Sequence, residues 1–150
     1  MKFLCDQMLG TLAKWLRIYG FDTFYSNDNL NDKKLLKISL KENRTLLTRD
    51  KNLVYCSRRE NVKVIYILDI DVNKQLKQVL KNIKKDNNLF LSRCLICNSL
   101  VKKIGKNDIK NKVPERVFSS NEDFWFCKKC DKIYWKGSHF KNMKQKINNL

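Results

Sequence analysis

The sequence predicts an α/β fold, in which a small three-layer domain built on a parallel sheet is followed by a second, cysteine-containing module. Across residues 1–85, short segments rich in apolar and β-branched residues alternate with longer segments of helical periodicity. That alternation is typical of parallel strands joined by helical crossovers. Beyond residue 90 the periodicity weakens and two CxxC pairs appear, which predicts a module held by its cysteines rather than by a large core.

The N-terminal part of the domain contains two predicted strands around one helix. Lys2–Cys5 is a short apolar run that ends at Asp6, and it predicts the first strand. Apolar residues then recur at helical spacing over residues 9–19, and Gly20 stands where a glycine commonly follows a helix. The second strand is predicted at Phe21–Tyr25.

The remainder of the domain continues the alternation. Asn31 or Asp32 can cap the second helix, and Thr45–Thr48 predicts a third strand that ends at Asp50. The other predicted elements are a short helix around residues 53–58, a β-branched strand at Val62–Leu68 and an amphipathic helix over residues 74–84. The polar run at residues 84–88 predicts a linker, so we divide the chain into residues 1–88 and residues 89–150.

Two CxxC knuckles define the C-terminal module. Each knuckle places two thiolates at the reach that one tight turn needs to hold a single ion, and together they offer Cys94, Cys97, Cys127 and Cys130. Four thiolates complete a tetrahedral shell that suits Zn²⁺ and leaves no open position for catalysis. Two disulfides, an iron–sulfur site or a redox dithiol could use the same residues, but a structural zinc ribbon is the interpretation we favour.

The charge balance favours a polyanionic partner. The chain contains 32 basic and 15 acidic residues, a formal net charge of +17. Phosphate contacts dominate nucleic-acid affinity, so nucleic acid is the favoured partner, although an AT-rich coding bias would also produce a surface of solvated lysines. The start MKFLCD does not resemble a signal peptide, and no apolar run approaches a membrane span. Reduced thiols with zinc then predict a cytoplasmic protein.

Four aspartates follow the predicted strands and predict a second kind of metal site. Asp6 follows the first strand, Asp28 and Asp32 the second, and Asp50 the third. The carboxyl ends of parallel strands form one edge, where open α/β sheets bind ligands. Clustered carboxylates favour Mg²⁺ or Mn²⁺, and such an ion supports phosphodiester hydrolysis. Each acid could instead cap the following helix or turn, and Asp28 is the weakest candidate because DNLND also reads as an ordinary turn.

Several segments together resemble a known family. They are FLCDQMLGTLAKWLRIYGFDT, ENRTLLTRDKNL, RCLICN and CKKCDKIYWKGSH, in that order over nearly the whole chain. They are similar to the Mut-seven C-terminal RNase family, a PIN-like nuclease domain with an appended zinc ribbon. The resemblance implies a small Rossmann-like PIN core and a metal-dependent ribonuclease.

The resemblance also assigns expected roles to residues. It implies acidic positions at Asp6, Asp50 and Asp32, with Asn31 in place of an adjacent acid, and zinc ligands at the four knuckle cysteines. Arg17 and Arg49 could hold substrate phosphate through a bidentate grip, although Arg17 could also pair with Asp22. The only histidine could contact substrate or be an exposed turn residue; it is His139. Four aromatic residues flank the second knuckle and are expected mostly as core: Phe124, Trp125, Tyr134 and Trp135.

The function predicted is a Mg- or Mn-dependent ribonuclease that hydrolyses RNA and carries a structural zinc site. The alternative from another class is a non-catalytic zinc-ribbon RNA-binding protein. A phospho-receiver is disfavoured because receivers place paired acids after the first strand, and here Cys5 precedes Asp6. One histidine excludes a paired-histidine nuclease, and without a P-loop or GxGxxG motif no nucleotide cofactor is expected.

Overall fold

The structure is a computed structural model that describes residues 1–26, 30–81, 83, 86–138 and 142. The chain divides into two compact units, Met1–Asn98 and Ser99–Leu150. The first unit contains a parallel sheet and the second contains a small antiparallel sheet, so the predicted α/β fold class is confirmed. The predicted division between residues 88 and 89 stays a prediction.

Four parallel strands form the sheet of the N-terminal unit, in the order β2-β1-β3-β4. They are β1 (Lys2–Cys5), β2 (Asp22–Tyr25), β3 (Thr45–Thr48) and β4 (Val64–Tyr66). The first and third strands were predicted at these bounds. The fourth is shorter than the predicted 62–68 because it lies at the edge of the described sheet, where only Leu46, Leu47 and Thr48 of β3 pair with it.

A helix follows each of these strands. They are α1 (Gly10–Ile18), α2 (Asp32–Glu42), α3 (Lys51–Arg59) and α4 (Val72–Leu80), with 3-10 turns at Gln7–Leu9 and Asn87–Leu89. Gly20 follows α1 with φ +84°, and a Cβ there would collide with the backbone carbonyl of Leu89. A glycine is therefore required for the left-handed conformation and for the close approach of the chain, which confirms the predicted helix end.

Side-chain caps set where three of the helices begin. Asn31 accepts a hydrogen bond from the backbone N–H of Lys34 and so caps α2. Asp50 caps α3, and Asp71 caps α4, which makes α4 begin two residues before the predicted 74 because the cap fixes the first turn. Among the described residues there is no helix with the length and apolar character needed to cross a membrane.

The helices cover the sheet on both faces. The chain moves from β1 to β2 in one direction and from β2 past β1 to β3 in the other, and right-handed crossovers then place α1 opposite α2 and α3. The packing agrees, because α1 contacts α4, while α2 and α3 share one apolar cluster with the sheet. That cluster includes Leu4, Leu35, Leu36, Leu46, Leu53 and Val62. The three-layer arrangement leaves the strand ends free to form a site.

The C-terminal unit contains three antiparallel strands in the order β5-β6-β7. They are β5 (Lys102–Ile104), β6 (Phe124–Cys127) and β7 (Lys132–Trp135), with a 3-10 turn at Lys106–Ile109 and α5 at Glu115–Ser120. Phe124 and Ile109 are fully buried, whereas Trp125, Tyr134 and Trp135 are half-buried. So small an apolar core predicts that this unit needs a metal to be stable.

Candidate functional site

The strand order places a ligand-binding crevice at the ends of β1 and β3. The connection from β1 to β2 and the connection from β2 past β1 to β3 run in opposite directions, so the switch point of the topology lies between β1 and β3. Open α/β sheets bind ligands outside the carboxyl ends of strands at such a point. Asp6 directly follows β1, and Asp50 follows β3 by two residues. Two of the predicted carboxylates therefore stand at the position that the topology favours.

Asp6 is buried at this edge, with 5% of its surface exposed. Its backbone N–H donates to the carbonyl of Leu47 at 3.2 Å, which continues the β1–β3 ladder. Its Oδ1 atom accepts a hydrogen bond from the N–H of Met8 at 2.9 Å, and its Oδ2 atom accepts one from the hydroxyl of Thr48. The expected capping role is therefore observed, and each carboxylate oxygen retains a lone pair for another partner.

Thr48 joins the two aspartates in one hydrogen-bond chain. Its side chain is fully buried, and its hydroxyl donates to Asp6 while accepting the backbone N–H of Asp50 at 3.0 Å. We name Asp6, Thr48 and Asp50 the carboxylate edge. Sequence reasoning missed Thr48 as a site residue. The available signal was a threonine two residues before Asp50 at a strand end, where a hydroxyl commonly binds the backbone N–H two residues on.

Asp50 is exposed, and its two carboxylate oxygens differ in their hydrogen bonds. Its Oδ1 atom accepts the backbone N–H of Asn52 at 2.7 Å and, more weakly, that of Leu53 at 3.4 Å. Its Oδ2 atom accepts no hydrogen bond from the described residues. The side chain can cap α3 and still offer an oxygen to a ligand.

The carboxylate edge fits a hard divalent cation. None of the ion pairs among the described residues involves Asp6, although a buried carboxylate is costly without a compensating cation. Carboxylate oxygens are the ligands that Mg²⁺ and Mn²⁺ prefer. Among the described residues, however, no three carboxylates lie as close together as the cysteine thiols described below.

The remaining predicted acids contribute less to this geometry. Asp32 is the first residue of α2 and is exposed, while Asn31 provides the cap. Asp28 and His139 lie outside the described residues. The catalytic role of these residues stays a prediction.

Burial makes Cys5 unreactive beside this edge. Burial of the thiol, helped by the neighbouring charge of Asp6, raises the pKa of Cys5 far above its usual range. The thiol is therefore neutral at physiological pH, and a neutral thiol is neither a nucleophile nor a metal ligand. The chemistry available at the carboxylate edge is that of its oxygen atoms.

The two predicted phosphate-binding arginines lie in different surroundings. Arg49 is half-buried beside Asp50 and forms no ion pair or side-chain hydrogen bond with the described residues. Arg17 is 6% exposed, and its guanidinium donates to the carbonyl of Thr23 at 3.0 Å. It also donates to the carbonyls of Leu95 and Ile96 at 2.7 and 2.9 Å. Of the two, only Arg49 keeps its donors available for a substrate phosphate.

The four knuckle cysteines converge as the spacing predicted. Their Sγ atoms all lie within 4.8 Å of one another, and Cys94 and Cys127 are buried. We name these four residues the cysteine cluster. Four thiol sulfurs at this separation fit a tetrahedral ion such as Zn²⁺, so the cluster could hold a metal such as zinc.

Arg17 joins the first knuckle, Cys94–Cys97, to β2 within the N-terminal unit. The two carbonyls that it binds belong to residues 95 and 96, which lie between the two cysteines of that knuckle. Burial lowers the pKa of the Arg17 guanidinium, while the nearby Cys5, Cys94, Cys97 and Asp22 oppose that shift. An arginine remains charged under such conditions, so a positive charge stands beside the cysteines that would carry negative charge.

Asn98 and Arg93 attach the same segment to β2. The Asn98 side chain accepts the backbone N–H of Thr23 at 3.0 Å and donates to the Asp22 carboxylate at 2.8 Å. Arg93 donates to the carbonyl of Gly20 at 3.2 Å and lies 3.7 Å from Asp22. These contacts provide hydrogen-bond partners at the outer edge of β2, where an open sheet would otherwise leave backbone groups unpaired.

The Asp22 carboxyl is the charged centre of this attachment. Burial raises its pKa, but hydrogen bonds from Arg44 and Asn98 and the charges of Arg44 and Arg93 outweigh burial, so the pKa lies below its usual value. Arg44 itself is 8% exposed and lies 2.6 Å from Asp22. The ionised form of Asp22 is therefore the one that the fold stabilises.

A comparison with protein families identifies the chain. The model of the Mut7-C RNAse domain matches residues 1–147. The chain belongs to the Mut7-C RNAse domain family. The resemblance stated from the sequence is thereby confirmed, and membership indicates a nuclease, a hydrolase for which RNA is the suggested substrate. No curated protein and no solved structure matches the chain.

The match of the Mut7-C RNAse domain includes both groups of residues described above. The carboxylate edge lies near its start and the cysteine cluster near its end. Both groups of residues therefore belong to the part of the chain that the family model describes.

Proposed function

We propose that the protein is a metal-dependent ribonuclease that hydrolyses RNA phosphodiester bonds at the carboxylate edge. The observation that carries this proposal is the hydrogen-bond chain from Asp6 through Thr48 to Asp50 at the switch point of the sheet. Membership of an RNAse domain family supports the reaction class. Cytoplasmic location, with reduced thiols, belongs to the same proposal.

Each residue of the edge has a role in the proposed reaction. Asp6 and Asp50 hold Mg²⁺ or Mn²⁺, with Asp32 as the expected third acid at the start of α2. Thr48 holds the Asp6 carboxylate in one orientation, and Arg49 binds the substrate phosphate. When bound, the cation supplies charge stabilisation at the scissile phosphate and a water of lowered pKa. The expected products carry 5′-phosphate and 3′-hydroxyl ends.

The cysteine cluster has a structural role in this proposal. We assign Zn²⁺ to it, because a four-sulfur shell has no open position for a reacting water. RNA cleavage then requires the zinc for folding and the second cation for chemistry.

Replacement of the acids by asparagine tests the hydrolytic proposal. Asparagine caps helices about as well as aspartate, so Asp50→Asn preserves the start of α3 and removes only the charge. A bound cation contributes several kcal/mol to such reactions, so Asp6→Asn or Asp50→Asn should reduce cleavage by about a hundredfold or more. The measurement is cleavage of labelled RNA by the zinc-loaded protein with and without added Mn²⁺.

Asp71→Asn is the matched control, because Asp71 caps α4 by the same contacts and belongs to no proposed site. The proposal is wrong if the Asp6 and Asp50 variants cut RNA as fast as the Asp71 variant does. RNA binding without cleavage by the wild type would instead support the alternative, a non-catalytic zinc-ribbon RNA-binding protein. That alternative is favoured by the lack of three converging carboxylates among the described residues.

A further inference from the structure

One face of α3 is basic, aromatic and exposed. Lys51, Tyr55, Arg58 and Arg59 occupy positions i, i+4, i+7 and i+8 of the helix, and all four are exposed. This spacing places them on one side of the helix. The opposite side contributes buried residues to the core, Leu53, Val54 and Ser57. We name the four exposed residues the α3 basic face.

Tyr55 is the feature of this face that packing does not explain. Its side chain is 64% exposed, and the guanidinium carbon of Arg59 lies 5.9 Å from the centre of its ring. A large aromatic ring that is left in water amid positive charge is the arrangement on which unpaired bases stack. Arg58 and Arg59 also suit the negative end of the helix dipole, but that role does not require an aromatic neighbour.

The arginines of the N-terminal unit divide into two groups. Arg17, Arg44 and Arg93 are committed to backbone carbonyls or to the Asp22 carboxylate. The other three form no ion pair with the described residues and lie within one segment; they are Arg49, Arg58 and Arg59. The available guanidinium groups are thus concentrated on and beside α3.

The α3 basic face is continuous with the carboxylate edge. Asp50 caps α3, so the face begins one residue after a proposed metal ligand. A helix of this length extends for about 13 Å at 1.5 Å per residue. A strand of RNA that leaves the carboxylate edge along α3 would therefore pass Lys51 first, then Tyr55, and then the two arginines.

We propose that the α3 basic face binds single-stranded RNA next to the cleavage site, with phosphates on Lys51, Arg58 and Arg59 and a base stacked on Tyr55. The inference rests on the proposed function in taking RNA as the substrate. Stacking requires a base that is not paired, so the face should prefer single-stranded over double-stranded RNA.

The test is RNA binding in the Asp50→Asn background without added Mg²⁺ or Mn²⁺, so that the proposed cleavage does not consume the probe. A fluorescein-labelled 12-nucleotide oligouridine serves as the probe, and fluorescence anisotropy is measured at several salt concentrations. Tyr55→Ala should weaken binding about tenfold or more, within the range measured for loss of one base stack. Tyr55→Phe retains the ring and should restore binding to within about twofold of the wild-type level.

Removal of the arginine charges gives an independent readout. Arg58→Gln/Arg59→Gln should lower the slope of log affinity against log salt by about 1.4, since each phosphate contact with a single strand contributes about 0.7. Lys77→Gln/Lys81→Gln is the matched control, because it removes two exposed charges at the end of α4. The control should change the slope much less than the arginine variant does.

The outcomes separate this inference from the proposed function. If Tyr55→Ala binds as the background protein does, or if the arginine variant and the lysine control behave alike, the α3 basic face is not the RNA site. Equal affinity for a 12-base-pair duplex would also overturn the inference. If the wild type cleaves RNA and the α3 variants bind it as well as the background protein does, only this inference is wrong. If binding depends on Tyr55 but the wild type does not cleave RNA, only the nuclease proposal is wrong.

Discussion

The carboxylate edge and the cysteine cluster are both groups of acidic ligands, but the chain assembles them in different ways. The cysteines come in local pairs whose spacing alone brings two sulfurs together, and the four Sγ atoms lie within 4.8 Å of one another. The carboxylates come singly, each at the end of a different strand, and only the strand order makes Asp6 and Asp50 neighbours. The proximity of two sulfurs within each knuckle is thus set by local spacing, whereas the proximity of Asp6 and Asp50 depends on the strand order.

The two regions also differ in what supports them. The first knuckle is supported by buried side chains of the N-terminal unit, above all by Arg17. The carboxylates of the edge accept backbone N–H groups of their own turns, and the Thr48 hydroxyl joins one to the other across the sheet. Four experiments test this difference.

Metal removal should have the largest effect, because a structural metal site can supply about 10 kcal/mol or more of folding free energy. We expect a strong chelator, or Cys127→Ser, to unfold the unit that begins at Ser99. Trp125 and Trp135 lie in that unit, so their fluorescence should shift to longer wavelength. Cys56→Ser is the control, since this half-buried cysteine is outside the cluster. An unchanged spectrum after chelation would show that the cluster is not a structural metal site.

Loss of Arg17 should have the next largest effect. Arg17→Leu leaves three carbonyls in buried or half-buried positions without their charged donor, which should lower the free energy of unfolding by about 3 kcal/mol. It should also lower metal affinity by about tenfold or more, as loss of an outer-shell partner does. Urea unfolding and competition with a chromophoric chelator measure the two effects. Arg59→Leu provides the exposed comparison, and equal losses in both variants would contradict the supporting role of Arg17.

Thr48→Val should affect activity more than stability. The valine has nearly the same shape but lacks the hydroxyl that joins Asp6 to Asp50, so cleavage should fall by about 10- to 100-fold. Thr48→Ser retains a hydroxyl and should recover most of the activity. Thr45→Val lies at the other end of the same strand and should cleave normally. Normal cleavage by Thr48→Val would remove Thr48 from the site.

The smallest expected effect is the dependence of stability on the charge of Asp22. Because the folded state lowers the pKa of Asp22, its contribution is complete above the unfolded value of about 3.9. The contribution is lost as the pH falls through the lower folded value. The difference in unfolding free energy between wild type and Asp22→Asn should therefore shrink between about pH 4 and pH 2. A difference that stays constant over this range would show that ionised Asp22 does not stabilise the fold.

Local signals predicted much of the fold correctly. The first and third strands have the predicted bounds, and Gly20 ends α1 as expected, because apolar runs and a left-handed glycine act within a few residues. Both bounds of β4 were predicted less well, because the length of a strand depends on how many residues of the partner strand pair with it. The start of α4 was predicted two residues late, because its N-cap, Asp71, fixes the first turn.

The candidate site was only partly predictable, for a related reason. Asp6 and Asp50 could be chosen as residues that follow strands, but the contact of Thr48 with both depends on β1 and β3 being adjacent. Arg17 was expected near substrate phosphate. Its burial against the first knuckle depends on residues 78 and 79 positions further along the chain, and no local pattern contains that information.

The sequence by itself determined the alternation of strands and helices, the acidic residues at strand ends and the paired cysteines, because these features depend on contacts within one or two turns of chain. Only the tertiary structure decided which strands are neighbours, which oxygen atoms share hydrogen bonds and which arginines are buried. The physical reason is that the strand order and the hydrogen-bond partners are set by packing among elements distant in the chain. The type of a residue does not determine which distant residues it contacts.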